Sequence, residues 1–243
     1  MILTRRRLIQ AAALIPIARP LIIPAKAQLL QGIAGEGGEG TNGGATGFSL
    51  KSRTYASGSG PFTSPPIDTT GADLIIVTIG TQSSFGVLSD TYSNTFLLAV
   101  SQNWYGTLYI YYAQSPSVGA GHTFSVSNPG NWGNWLTVSA WSGSATSPVD
   151  KTSTSHFDNN TSYQPGLITG VENELVITAV QLSNTGTGCA VNDSFVADIP
   201  PSGGQYDGGG SAYLISTVAS LNPTWSWNTA TAGPVVIASF KAQ

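Results

Sequence analysis

The chain has 243 residues, of which 41% are hydrophobic and only 9% charged, so it can bury one sizeable core in one or two domains. Five of its nine basic residues, Arg5, Arg6, Arg7, Arg19 and Lys26, precede residue 28, and the remainder carries four basic against twelve acidic side chains, a net charge of −8. So few cations cannot neutralise a phosphate backbone, which excludes nucleic acid as a partner.

Residues 1–27, MILTRRRLIQAAALIPIARPLIIPAKA, have the three parts of a secretory signal: a basic start, an apolar middle and a small-x-small end at Ala25-Lys26-Ala27. Thr4-Arg5-Arg6-Arg7-Leu8-Ile9-Gln10 resembles the twin-arginine export signal, with Arg5 and Arg6 as the recognition pair and Ala25 and Ala27 framing cleavage before Gln28. The apolar run is short and broken by Pro16, Arg19, Pro20 and Pro24, so no stable membrane span is expected once the segment is removed. General secretion and an uncleaved N-terminal arm docked on a partner are the competing readings.

Residues 28–47 read as a linker. Its stretch 32–47, GIAGEGGEGTNGGATG, has eight glycines in sixteen residues and no apolar face, a flexible tether spanning about 20–24 Å.

From residue 48 to 243 the pattern is strand after strand. Runs of β-branched and aromatic residues fall at 73–80, 94–102, 106–114, 122–127, 134–143, 173–182, 211–220, 224–228 and 235–242, punctuated by Gly, Pro, Asn, Asp and Ser. No window sustains a helical period. This predicts an all-β domain, a two-sheet antiparallel β-sandwich that is jelly-roll-like. Alternation in NWLTVSAW puts Leu136, Val138 and Ala140 on one face and Trp135, Thr137, Ser139 and Trp141 on the other. IPPSGGQYDGGG (199–210) reads as a loop, and the single cysteine, Cys189, as a buried, inert thiol.

The order of motifs GADLIIVTIG, LSDTYSNTFLLA, GTLYIYYAQSP, AWSGSATSPVDKTST, LITGVENELVITAV and PVVIASFKA resembles a β-sandwich domain recurrent in bacterial exported proteins and phage-associated genes. The matching residues are Ser89, Asp90, Asn94 and Thr95 in a D-S-x-G-N-T-Y type turn, Tyr112 and Ala113 at a strand end, and Trp141, Ser142, Gly143, Ser147, Pro148 and Asp150 in an S-G…S-P-x-D pattern. The similarity covers about residues 60–242. It implies an export-compatible or virion-associated sandwich and carries no catalytic residues across. Ser93 stands where that family usually has Gly, so the left-handed backbone position of the turn is expected at Asn94.

No catalytic constellation is recognisable. The elbow G-x-S-x-G is absent, and two histidines with one cysteine give no zinc-site spacing; no metal and no cofactor are expected. His122, opening a strand, and His156, in the polar loop STSHFDNNTS, read as solvated or locally hydrogen-bonded. Glu172 and Glu174 read as a turn entering a strand, and Asp158, Asn159, Asn160 and Asp193 as capped turns.

The aromatic side chains are the suggestive feature, because sugar rings stack their apolar C–H faces on flat aromatic surfaces. Trp104 and Tyr105 fall at a hairpin turn, Tyr109 and Tyr111 on one strand face, and Trp132 and Trp135 in and beside a Gly/Asn loop. These six are the candidate ligand-binding residues, whereas Trp141, Trp225 and Trp227 read as core. The expected function is an exported, periplasmic or extracellular bacterial module that binds polysaccharide or surface glycan without catalysis. The alternative is a structural or decoration protein of a phage particle or cell-surface assembly.

Overall fold

The computed structural model describes residues 47–83, 86–127, 133–183, 189–198 and 208–243. The signal segment 1–27, residues 28–46 of the tether, Trp132 and the stretch 199–207 lie outside the described residues. No helix occurs among the described residues, and none is therefore long and apolar enough to cross a membrane.

Sixteen strands follow in chain order: β1 (Ser49–Gly58), β2 (Phe62–Thr63), β3 (Leu74–Thr81), β4 (Leu88–Asp90), β5 (Leu97–Asn103), β6 (Thr107–Gln114), β7 (Phe124–Val126), β8 (Asn134–Ser142), β9 (Ser144–Tyr163), β10 (Ile168–Thr169), β11 (Leu175–Gln181), β12 (Ala190–Val191), β13 (Val196–Asp198), β14 (Gly209–Ile215), β15 (Ser220–Leu221) and β16 (Trp225–Ala242). They form two large antiparallel sheets and two small ones, β2-β7-β4 and β10-β15. The first has the order β1-β8-β3-β6-β5, and the second runs β16-β11-β14-β13, with β9 and β12 paired to β16. The chain completes the first sheet before it begins the second.

Between the sheets lies a core to which the first contributes Leu74, Ile76, Leu108, Ile110, Trp135 and Trp141, and the second Leu175, Ile177, Ala179, Val236, Ala238 and Phe240. Both outer faces are covered too. Ile75, Val77, Ile79, Leu136, Val138 and Ala140 pack under the small sheet β2-β7-β4, through Phe124 and Val126. Val176, Val180, Val235 and Ile237 pack against Phe157, Trp225 and Trp227 on the far side. Coverage on both faces explains why β3 and β11, LIIVTIGT and LVITAVQ, are buried at every position and read as unbroken apolar runs. The two faces expected for NWLTVSAW are found: Leu136, Val138 and Ala140 lie outward of the first sheet and Trp135 and Trp141 inward.

Two glycines hold this geometry. Gly80 pairs with Trp135, and a Cβ there would collide with the indole and with Gln181. At Gly143, where β8 turns into β9, φ is +95° and a Cβ would strike the backbone of Gly47. Both oxygens of Asp73 accept at this corner, from the N–H of Gly143 at 2.8 Å and of Ser144 at 3.1 Å. The S-G motif is thus the corner at which the chain leaves one sheet for the other.

Three elements differ from the expectation. The runs 224–228 and 235–242 belong to one bulged strand, β16. The segment 144–163 is a strand of twenty residues, β9, so His156 lies on a strand and not in a loop. Its Ser, Thr and Asn residues carry no apolar alternation, because β9 is paired on one side only and most of its side chains face solvent. Strand β1 was not expected either, being an edge strand with half-exposed positions throughout.

Candidate functional site

Of the six candidate aromatics, Trp132 lies outside the described residues, and the other five do not form one surface. Trp135 is fully buried in the inter-sheet core, where its Nε1 donates to Gln181 Oε1 at 2.6 Å. Its assignment to a ligand surface is therefore corrected: the indole turns inward over Gly80. Gln181 is itself fixed, its Nε2 donating to the carbonyls of Gly133 and Leu182. Tyr109 and Tyr111, half-buried on β6, stack on each other with centroids 5.8 Å apart and 22° between planes, against the outer cluster under β7. Burial, with Tyr109 adding to it, raises the Tyr111 phenol above its ordinary value.

Trp104 and Tyr105 sit together at the tip of the β5–β6 hairpin. The turn closes by the Trp104 N–H donating to the Gly106 carbonyl at 2.7 Å. Trp104 reaches the neighbouring sheet: its ring lies 4.3 Å from that of His156 on β9, tilted by 36°, and its Nε1 donates to Asp158 Oδ1 at 2.9 Å. Tyr105 meets the Trp104 ring edge-on at 5.6 Å and remains 65% exposed. Its φ is +50°, a left-handed conformation that costs a non-glycine residue roughly 1–2 kcal/mol. Trp104, Tyr105 and His156 thus make an aromatic step at the sandwich edge, with an indole held on one side and a phenol presented to solvent.

A second polar cluster lies beneath the β2-β7-β4 layer, around the turn 90–94. Asp90 Oδ1 accepts from the N–H groups of Tyr92 (3.2 Å) and Asn94 (2.9 Å), and Oδ2 from Asn94 Nδ2 (2.7 Å) and His122 Nε2 (2.9 Å). The His122 ring is fully buried, stacks on Phe124, and has Nδ1 2.9 Å from Thr69 Oγ1. Asn94 extends the network to Ser117, donating to its carbonyl and accepting from its N–H. An Asp–His–Thr arrangement of this kind has the chemistry of a proton relay, but Thr69 and His122 are wholly buried, so no substrate reaches the hydroxyl. Its role is to pin three loops. The left-handed residue of this turn is Ser93, at φ +56°, and not Asn94, which is occupied by the hydrogen bonds just described.

A third cluster, on the outer face of the second sheet, was not foreseen. Asp150 on β9 accepts from Lys241 at 2.8 Å and Lys151 at 3.2 Å, and the Lys241 ammonium holds its carboxyl below the ordinary value. Glu174, beside it, is buried, and its Oε2 has no hydrogen-bond partner. Burial raises the Glu174 carboxyl, with Ser239 opposing and Asp150 adding to the rise. Glu174 enters β11 by the turn expected there, its N–H bonded to the Val171 carbonyl and Asn173 left-handed. Only the distant partner Asp150 was hidden from the sequence.

Cys189 packs against the outer cluster of the second sheet, and burial pushes its thiol up to about 12, which leaves it unreactive. Trp141, Trp225 and Trp227 are core residues, as expected. Among the described residues, no group of three or more His, Cys, Asp or Glu side chains is placed to hold a metal ion. Comparison of the chain with protein-family models, curated proteins and solved structures finds no match.

Proposed function

We propose that the chain is an exported module that binds polysaccharide or surface glycan, without catalysis, at the Trp104–Tyr105 tip. The observation that carries this reading is Tyr105: a large aromatic ring left 65% exposed on a strained, left-handed backbone, beside an indole already fixed in place. Strain at a position whose ring is left mostly to solvent, with the edge-on contact to Trp104 as its ring packing, supports a surface role for it. A rigid aromatic step offers the apolar face of a sugar a flat partner at low entropic cost, and His156, Asp158 and Asn103 supply polar groups at its margin. The net charge of −8 beyond residue 27 favours a neutral glycan over an acidic one. The segment 1–27, with Arg5 and Arg6 at its head, directs the chain across the inner membrane before it is cleaved after Ala27.

The test is retention on immobilised polysaccharides and on a glycan array, with wild type beside Tyr105→Ala and Trp104→Ala. Retention by wild type that both substitutions abolish, with Tyr105→Ala melting within about 5 °C of wild type, supports the reading. Retention that survives both, or none on any glycan, overturns it. For export, Arg5→Lys with Arg6→Lys is expected to leave the precursor inside the cell; normal export of that variant assigns the segment to general secretion.

A further inference from the structure

We propose that a cleft next to the aromatic tip is a second subsite, and that the ligand is an uncharged oligosaccharide long enough to occupy both; this rests on the glycan reading above. The cleft, of about 490 Å³, opens where the middle of β9 faces the end of the same strand and the segments 164–166 and 222–224. Its size is that of a small-ligand site. Every side chain lining it is uncharged: Thr154, Ser155 and Ser162 bring hydroxyls, Gln164 and Asn222 amides, and Tyr163 an aromatic ring.

That lining selects a chemical class. A charged ligand would find no counter-charge, and an apolar one would leave hydroxyls and amides without partners. Sugar hydroxyls both donate and accept, as serine, threonine and amide groups do. Two other clefts differ: one, of about 470 Å³, is lined by Glu172, Glu174 and Lys241, and another, of about 550 Å³, by Leu214, Val218 and Leu221 beside Asp193.

The amides of the neutral cleft are also set in advance. Gln164 Nε2 donates to the Asn222 carbonyl and to Thr224 Oγ1, both at 3.0 Å, and Asn222 Nδ2 returns a bond to Gln164 Oε1 at 3.1 Å. Asn222 Oδ1 accepts from the Gly166 N–H at 3.0 Å. This leaves the second proton of Asn222 Nδ2 for a ligand, on a side chain that loses no further rotamer freedom on binding. Thr154, at the cleft, and His156 are two residues and about 7 Å apart along β9; His156 carries Trp104 on one face of the strand, Ser153 and Ser155 face the other, and β9 is paired with β16 alone, so its other edge carries no strand. One bound chain therefore runs from the cleft around that edge to the tip.

The experiment is titration of the full chain with a ladder of neutral and acidic oligosaccharides, comparing wild type with Ser162→Trp, Tyr163→Ala and Tyr105→Ala. Ser162→Trp fills the cleft from an exposed strand position outside the Gln164–Asn222 pair. It controls for Tyr163→Ala, which also removes a ring packed on Phe157. The expected result is binding of neutral ligands only, with Ser162→Trp lowering affinity for the longer ones at least about tenfold and sparing the shortest, while Tyr105→Ala weakens both. Cleft variants that bind like wild type while Tyr105→Ala fails overturn the second subsite and leave the tip reading intact. Cleft variants that fail while Tyr105→Ala binds normally support the cleft and overturn the tip. Preference for acidic ligands, or no binding to any, overturns the proposal.

Discussion

Two turns of this molecule have the same backbone oddity and opposite surroundings. At 90–94 the left-handed residue is Ser93, and at 103–107 it is Tyr105. Around Ser93 the strain has a local cause: Asp90 takes four hydrogen bonds, Asn94 locks onto Ser117, and the turn is sewn to His122 below it. Around Tyr105 one backbone bond closes the turn, the indole beside it is anchored to Asp158, and the phenol projects into solvent. The first turn is strained because its bonding requires it. The second is strained by a residue that glycine or asparagine would replace at lower cost, and the proposed glycan role supplies the reason for an aromatic ring there.

The contrast predicts unequal losses. Asp90→Ala removes the acceptor of four hydrogen bonds and leaves His122 Nε2 buried without a partner, an expected loss of about 2–4 kcal/mol. Denaturant unfolding measures it, and a loss below about 1 kcal/mol would show that the three loops hold without this pin. Trp104→Ala removes a half-buried indole and one hydrogen bond, for an expected loss of about 2 kcal/mol. A loss near that of a core tryptophan would place Trp104 among the structural residues and weaken its reading as a surface group.

The strands of the two sheets were largely legible in the sequence, and the site was only partly so. Short runs rich in β-branched residues and bounded by turn residues, such as LIIVTIGT, read as strands, so β3 and β11 were evident. Strand β9 was not, since TSTSHFDNNTS carries no periodic apolar face, and its extended form is imposed by β16, whose partner residues lie some eighty positions away. The two tryptophans near loop ends show the same limit. Trp104 and Trp135 both stand next to Gly, Asn or Tyr in sequence, but Trp135 is drawn inward by Gln181 and by the space that Gly80 leaves. Neither is adjacent in the chain. The pairings His122–Thr69 and Glu174–Asp150 were invisible for the same reason, whereas the turn residues Asp90 and Asn94, four apart, were legible.

Glu174, unlike Asp90, is a buried acid whose bonding is incomplete. Its carboxyl titrates above the ordinary value of 4.5 in the folded chain, so the folded state holds this proton more firmly than the unfolded state does. The stability it contributes is present below that value and is lost as pH rises through the folded one. Asp150 has the opposite sign: its carboxyl is held down, chiefly by Lys241, and its contribution is lost as pH falls below 3.8. Glu174→Gln mimics the protonated acid. Its melting temperature is therefore expected to match wild type below about pH 4.5 and to exceed it as pH rises, by a margin that levels off above the folded-state value. A difference independent of pH would mean that Glu174 is not the titrating group.

The smallest effects separate the two turns most directly. Ser93→Gly relieves a left-handed side chain and removes little else, so a gain of about 1 kcal/mol is expected. Tyr105→Gly relieves the same backbone but also removes the edge-on contact with Trp104, worth about 0.5–1.5 kcal/mol, so its net change is expected to be near zero. In ligand binding the expected order reverses: Ser93→Gly is expected to retain glycan like wild type, and Tyr105→Gly to lose it. If Tyr105→Gly is strongly destabilising instead, the phenol is a packing residue, and the strain at position 105 then has the same structural origin as the strain at 93. If both variants gain stability and both keep the ligand, neither turn was shaped by binding, and the exposed phenol is one more surface aromatic.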